Sequence, residues 1–117
     1  MLSFGSKSVY LACGDTDMRK NINGLSGIVH SSFQLDLYDE AVFVFCNRRR
    51  DRLKILEWDR DGFWLYFKRL ERGRFRWPQP GSEPTMLLSP DDLQTLINGA
   101  RIEQKLKRKE VTERKIM

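Results

Sequence analysis

The chain has 117 residues, 40% of them hydrophobic and 32% charged, with a formal net charge of +5. This length suits one domain of about 100–150 residues, and no apolar run approaches the roughly 20 residues that a membrane-crossing helix needs. The start, MLSFGSKSVYLACGD, lacks the basic opening, sustained apolar stretch and cleavage site of a secretory signal, so a cytoplasmic protein with no membrane partner is expected. Cys13 and Cys46 each sit inside an apolar stretch, as small buried hydrophobes do in a reducing compartment.

Basic charge is gathered rather than spread. Residues 48–52 hold four arginines against one aspartate, and residues 68–76 hold five basic side chains against one glutamate. Residues 101–117 add seven basic side chains against three acidic ones. Concentration of this kind marks a surface that meets a polyanion.

In chain order, Val9 to Cys13 is a β-branched and aromatic run closed by Gly14-Asp15, which reads as a short first strand. Asp15, Thr16 and Asp17 offer capping oxygens ahead of Ile22, Leu25, Ile28, Val29 and Phe33, a spacing that predicts a helix over about 17–33. Gly24 and Gly27 weaken that helix by about 1 kcal/mol each relative to alanine, or permit close packing on a sheet. Ala41 to Cys46 is apolar throughout and predicts a strand buried on both faces. Leu53 to Trp58 and Phe63 to Lys68, joined by Asp59-Arg60-Asp61-Gly62, predict a hairpin. Its natural core face carries Leu56, Trp58, Phe63, Leu65 and Phe67, and the other face carries Ile55, Glu57, Trp64, Tyr66 and Lys68. Phe75 to Trp77 reads as the start of a further strand stopped by Pro78, Pro80 and Pro84, and Met86 to Leu88 as a last edge strand. Ser89-Pro90-Asp91-Asp92 carries a cap, a first-turn proline and early acidic residues, so a short helix is expected at about 90–98 with Leu93, Leu96 and Ile97 buried. Residues 1–100 thus form a single domain, and 101–117 a basic tail expected to be mobile when unbound.

The first arginine cluster is Arg48, Arg49, Arg50 and Arg52; the second is Lys68, Arg69, Arg72, Arg74 and Arg76. A guanidinium grips phosphate through two parallel hydrogen bonds, which a lysine point charge cannot do. The bland alternative is a solvated loop and a charged sheet edge that resists aggregation. Arg19 and Lys20 lie at the end of the predicted helix where cations oppose its dipole, a hint of an external anion. Trp64, Tyr66 and Trp77 are read as core, with base stacking as the alternative. Asp15-x-Asp17 and Asp59-x-Asp61 invite a Mg²⁺-dependent nuclease, but capping and turn formation account for both pairs. His30 is the only histidine, and two separated cysteines make no zinc pattern, so no cofactor, metal or catalytic residue is expected.

Several motifs resemble one family. Thr16-Asp17-Met18-Arg19-Lys20 with Gly24-Leu25, Phe43 to Arg49, Asp51 to Lys54, and Trp58 are similar to the TnpB-type accessory protein of bacterial insertion sequences of family sixty-six. So are Asp61 to Phe63, Tyr66 to Glu71 and Gly73-x-Phe75-x-Trp77-Pro78, in the same order along the chain. The resemblance implies a role in transposition beside a co-encoded transposase and a second small accessory protein, with the element's DNA ends as the polyanion. Carried over by position, it points to Arg19, Lys20, Arg48, Arg49, Arg52, Lys54, Lys68, Arg69 and Arg72. Two departures are Asn47 and Arg60, where the family commonly has glycine.

The expectation is an α+β fold: an antiparallel meander of four to five short strands with one longer and one short helix. The expected function is a non-enzymatic accessory factor that binds DNA through arginine clusters on the sheet. The alternative is a protein-interaction module that docks on the transposase without touching DNA, and the third reading is the nuclease.

Overall fold

The computed structural model describes residues 2–78 and 81–98. Its centre is β2 (Ala41–Cys46), in which all six residues are buried. No other strand is closed off on both faces along its whole length, and the reason is position. Strand β1 (Ser8–Ala12) lies on one side of it and β3 (Arg52–Asp59) on the other, while β4 (Gly62–Arg69) and β5 (Thr85–Leu88) form the edges. The order across the sheet is β4-β3-β2-β1-β5.

Helix α1 (Ile22–Gly27), which runs on as a π-helical segment Ile28–Phe33, covers one face. There Leu25 and Val29 pack with Ala41, Phe43, Phe45 and Leu56. Helix α2 (Pro90–Ile97) covers the other face, with Leu93, Leu96 and Ile97 against Val42, Val44, Leu53 and Ile55. Odd and even residues of β2 therefore feed two separate cores, as the period-two alternation of a strand dictates. Full burial of each large side chain contributes about 1.5–3 kcal/mol, and β2 contributes to both cores at once. Ser89 caps α2 as its sequence implies, its Oγ accepting from the Asp92 N–H at 3.1 Å.

The α+β class and the edge strand at Met86–Leu88 agree with the sequence reading, and five details differ. The sheet is mixed rather than a pure meander, because β1 pairs with β2 in parallel and the chain crosses over through α1 between them. Helix α1 starts at Ile22, five residues after Asp17, and Asp17 organises a turn instead: its Oδ1 accepts from the Arg19 N–H at 2.9 Å. Phe75 to Trp77 adds no strand; Phe75 is a buried plug and the Trp77 indole donates to Ala12 O at 2.9 Å. Trp64, read as core, is 53% exposed because β4 is an edge. The close approach at Gly24 is to the stem of Lys20, where an added Cβ would sit 3.1 Å from Lys20 Cβ, not to the sheet. The tail at 101–117 lies outside the described residues, as does Gly99.

The hairpin closes with Asp59 opposite Gly62, so Arg60 and Asp61 are the two loop residues. Arg60 takes φ 55°, a left-handed conformation that strains any L side chain by about 1–2 kcal/mol. At the same end of β3, Glu57 is buried and joins two partners. Lys7 Nζ lies 2.6 Å from Glu57 Oε2, and the Tyr66 hydroxyl donates to Glu57 Oε1 at 2.8 Å. Burial first, and then the Glu57 carboxylate, push the Tyr66 phenol up to about 12.

Arg60→Gly should relieve the turn and, after the extra chain entropy of glycine, stabilise the protein by about 0.5 kcal/mol, read as a higher urea midpoint at unchanged slope. Glu57→Ala strands the lysine and the phenol and should cost about 2–3 kcal/mol in the same assay. Because the folded state raises the Tyr66 pKa, its contribution holds below the ordinary value of 10 and is lost as pH climbs to about 12. An ultraviolet titration should show one of three tyrosines ionising near pH 12, and Tyr66→Phe should delete that step.

Candidate nucleic-acid interface

The turn from β2 into β3 is a small rigid scaffold. The Asn47 side chain closes it: its Oδ1 accepts from the N–H groups of Asp51 and Arg52 at 3.1 and 3.0 Å, and its Nδ2 donates to Asp51 Oδ1 at 2.7 Å. An asparagine that mimics backbone in this way holds a turn without a glycine. The same contacts, with Arg52 and Arg49 nearby, hold the Asp51 carboxyl below its usual range. The strained left-handed residue is Arg50, at φ 62°. Its guanidinium donates to Gly14 O at 3.0 Å and lies 5.7 Å from the Trp77 ring, so its side chain knits the loop to the body of the fold.

Arg48 and Arg49 project from this scaffold and are exposed. Neither belongs to an ion pair among the described residues. Arg52 sits opposite Arg69 in the β3–β4 register, which places two like charges side by side. Such a pair repels, and each arginine leans on its own carboxylate: Arg52 on Asp51 at 3.2 Å, Arg69 on Glu71 at 2.9 Å.

The second cluster is stitched back to the first through the main chain. The Leu70 N–H donates to Asp51 O at 2.8 Å, and the Phe75 N–H donates to Arg50 O at 2.7 Å. The segment holding Arg72 and Arg74, both exposed, therefore returns to the arginine turn. Arg76 is exposed on the same segment. Lys68 departs from the group: it points to the α2 face and donates to Ile97 O at 2.6 Å, satisfying a carbonyl at the helix C-terminus.

Lys54 is not a surface cation either. It is 8% exposed, and its ammonium donates to Met18 O at 2.9 Å, Lys20 O at 2.8 Å and Asn21 Oδ1 at 3.2 Å. Three acceptors match its three donors. This contact holds the Asp15–Asn21 stretch against the sheet. Arg19 extends from that stretch with a 91% exposed side chain, clamping Asp17 through both carboxylate oxygens. Those hydrogen bonds hold Asp17 down at about 2. Lys20 runs along α1 over Gly24.

Between the two stretches lies an open cleft of about 810 Å³. Asp15 to Arg19 form one wall, Asn47 to Arg49 with Arg52 the other, and Lys54, Leu65 and Phe67 the floor. Alternation assigns Phe67 to the core face, and it is on that face but 54% exposed. Sequence reasoning missed its exposure, since only the three-dimensional end of α1 shows that the helix stops short of it. The Asp59-Asp61 pair is at the other end of β3 from Asp15 and Asp17. Among the described residues no group of three or more His, Cys, Asp or Glu is placed to hold a metal ion, and no helix is long and apolar enough to cross a membrane. Both cysteines are free, and burial pushes the Cys46 thiol up to about 11.

Comparison with known proteins adds the family. The family described as IS66 Orf2 like protein matches residues 7–107. The protein y4jC of Sinorhizobium fredii (strain NBRC 101917 / NGR234) is 35% identical over 91 residues, covering 78% of this chain and 77% of the relative. The protein y4hO of the same organism is 37% identical over 91 residues, 78% of each chain. No solved structure matches the chain. With a match that takes in the whole sheet, both helices and every wall of the cleft, the chain belongs to the IS66 Orf2-like family.

Proposed function

We propose that this protein is a non-enzymatic, cytoplasmic accessory factor for transposition of an insertion sequence, and that it binds the DNA of the element's ends through the arginine end of its sheet. The observation that carries this reading is the gathering of Arg48, Arg49, Arg52, Arg69, Arg72 and Arg74 around one turn, with Arg52 and Arg69 side by side in register. A protein pays for like charges held together, and a bound phosphate backbone returns that cost by lying between them. Arg50, Lys54 and Lys68 serve this surface indirectly, by building the turn, the cleft wall and the α2 contact. Membership of the family supports the process, transposition, and the co-encoded transposase and second small protein are the partners this reading implies.

A second reading, docking on the transposase without DNA contact, has one observation in its favour. Edge strand β5 exposes Met86 at 40% on one face and Leu87 at 63% on the other, and its outer side pairs with no further strand among the described residues. Capture of purified transposase that Leu87→Lys abolishes, with no shift of terminal-repeat DNA, would favour this reading over the first.

Duplex DNA from the element ends should bind with a slope of log affinity against log salt near −5, as about six phosphate contacts require. Arg48→Ala with Arg49→Ala should weaken binding at least tenfold and flatten the slope by about 2, with the thermal melt unchanged because both side chains are exposed. A salt-independent affinity, or a double variant that binds like the wild type, would sink the DNA-binding reading.

A further inference from the structure

We infer that the cleft between the Asp15–Arg19 stretch and the arginine turn receives an unpaired nucleotide, with Phe67 as the platform on which its base stacks. The inference rests on the DNA-binding reading and adds the form of DNA: single-stranded or locally opened, not fully paired.

Four features of the cleft converge on this ligand. Its floor presents an aromatic ring on a rigid strand, 54% exposed although its alternation places it on a core face. An exposed phenyl ring costs solvation, and a stacked base would cover it; such stacking suits any base because every base has a π-face. The surroundings are cationic: Arg48, Arg49 and Arg52 line the wall beside the ring, and the Lys54 ammonium lies 5.8 Å from its centroid. Phosphates on either side of a stacked base would meet those guanidiniums. The volume, about 810 Å³, is in the range of about 300–1,000 Å³ found for small-ligand sites and well beyond one side chain. Asp15 lines the opposite wall, and an aspartate is an acceptor of the kind that reads exocyclic amino groups on bases. A paired base in a duplex cannot present its face to the floor of such a cleft, whereas an unstacked one can.

The other aromatics do not form this arrangement. Trp58 packs edge to face on both Tyr38 and Phe63 at the far end of β3, with Tyr38 and Trp58 centroids 4.8 Å apart. Trp64 stacks on Tyr66 at 6.2 Å and its indole donates to Asp59.

The test compares one sequence as a single strand and as a blunt duplex, by fluorescence anisotropy at fixed salt, with a 2-aminopurine in the single strand as a stacking reporter. The wild type should bind the single strand more tightly than the duplex and quench the 2-aminopurine. Phe67→Ala should weaken single-strand binding about tenfold and abolish the quench, leave duplex affinity within twofold, and keep the thermal melt; Phe67→Trp should restore both readouts. Equal loss on both substrates, no loss on either, or preference for the duplex would overturn the nucleotide site while leaving DNA binding intact. Failure to bind either substrate would remove the DNA-binding reading together with this one, and the two failures are thereby distinguishable.

Discussion

The arrangement of the arginine end of the sheet depends on one buried ammonium. Lys54 stands on β3 with almost no solvent access, and an unpaired charge there would be costly enough to unfold the site. It is satisfied by two main-chain carbonyls and one amide oxygen, all from the short stretch before α1. That choice of acceptors has a consequence for the helix. The carbonyls of Met18 and Lys20 are those that an α1 extended back to Asp17 would use in its own ladder, for the N–H groups four residues on. Lys54 draws them toward the sheet, and the chain turns at Asp17–Lys20 and is extended at Asn21 before the helix begins at Ile22.

The late helix start is in turn what opens the cleft. Leu65 and Phe67 project from β4 toward the α1 layer, and the helix and its π continuation reach far enough to pack Leu65 but leave Phe67 uncovered. Basic charge is tolerated around this gap for different local reasons. Arg19 and Arg69 each hold a neighbouring carboxylate at the surface, where such pairs are worth about 0–1 kcal/mol and release their partner readily. Arg48 and Arg49 stand on a turn whose hydrogen bonds are completed by Asn47, so their own side chains carry no structural duty.

Much of the fold was legible in the sequence, and the reasons are local. Six unbroken apolar residues at Ala41–Cys46 announce a strand covered on both faces, Asp-Gly between alternating runs announces the hairpin, and Ser89-Pro90 announces α2. What could not be read depends on partners distant in the chain. The parallel β1–β2 pairing is fixed by the crossover through α1, not by any feature of Val9 to Ala12. Arg50 and Lys54 look like their neighbours in a list of basic residues; only the approach of Gly14 and Met18 reveals that one builds the turn and the other anchors the wall. Trp64 and Phe67 have the composition of core residues, and it is the placement of β4 at an edge that leaves them bare.

The two edges of the sheet are unlike, and this separates what each can do. On β5 the exposed side chains are Met86 and Leu87, one on each face of the edge, so water exclusion by another apolar surface is the interaction they offer. On β4 the exposed Phe67 lies in a cleft lined by Arg19, Arg48, Arg49 and Arg52, whereas Trp64, nearer the hairpin turn, donates to Asp59. A polyanion with flat, apolar faces satisfies both demands of that edge at once, charge along its backbone and ring surface between its charges. Nucleic acid, the ligand proposed above, carries charge and ring together, whereas acidic protein segments supply the charge but rarely the stacked ring beside it.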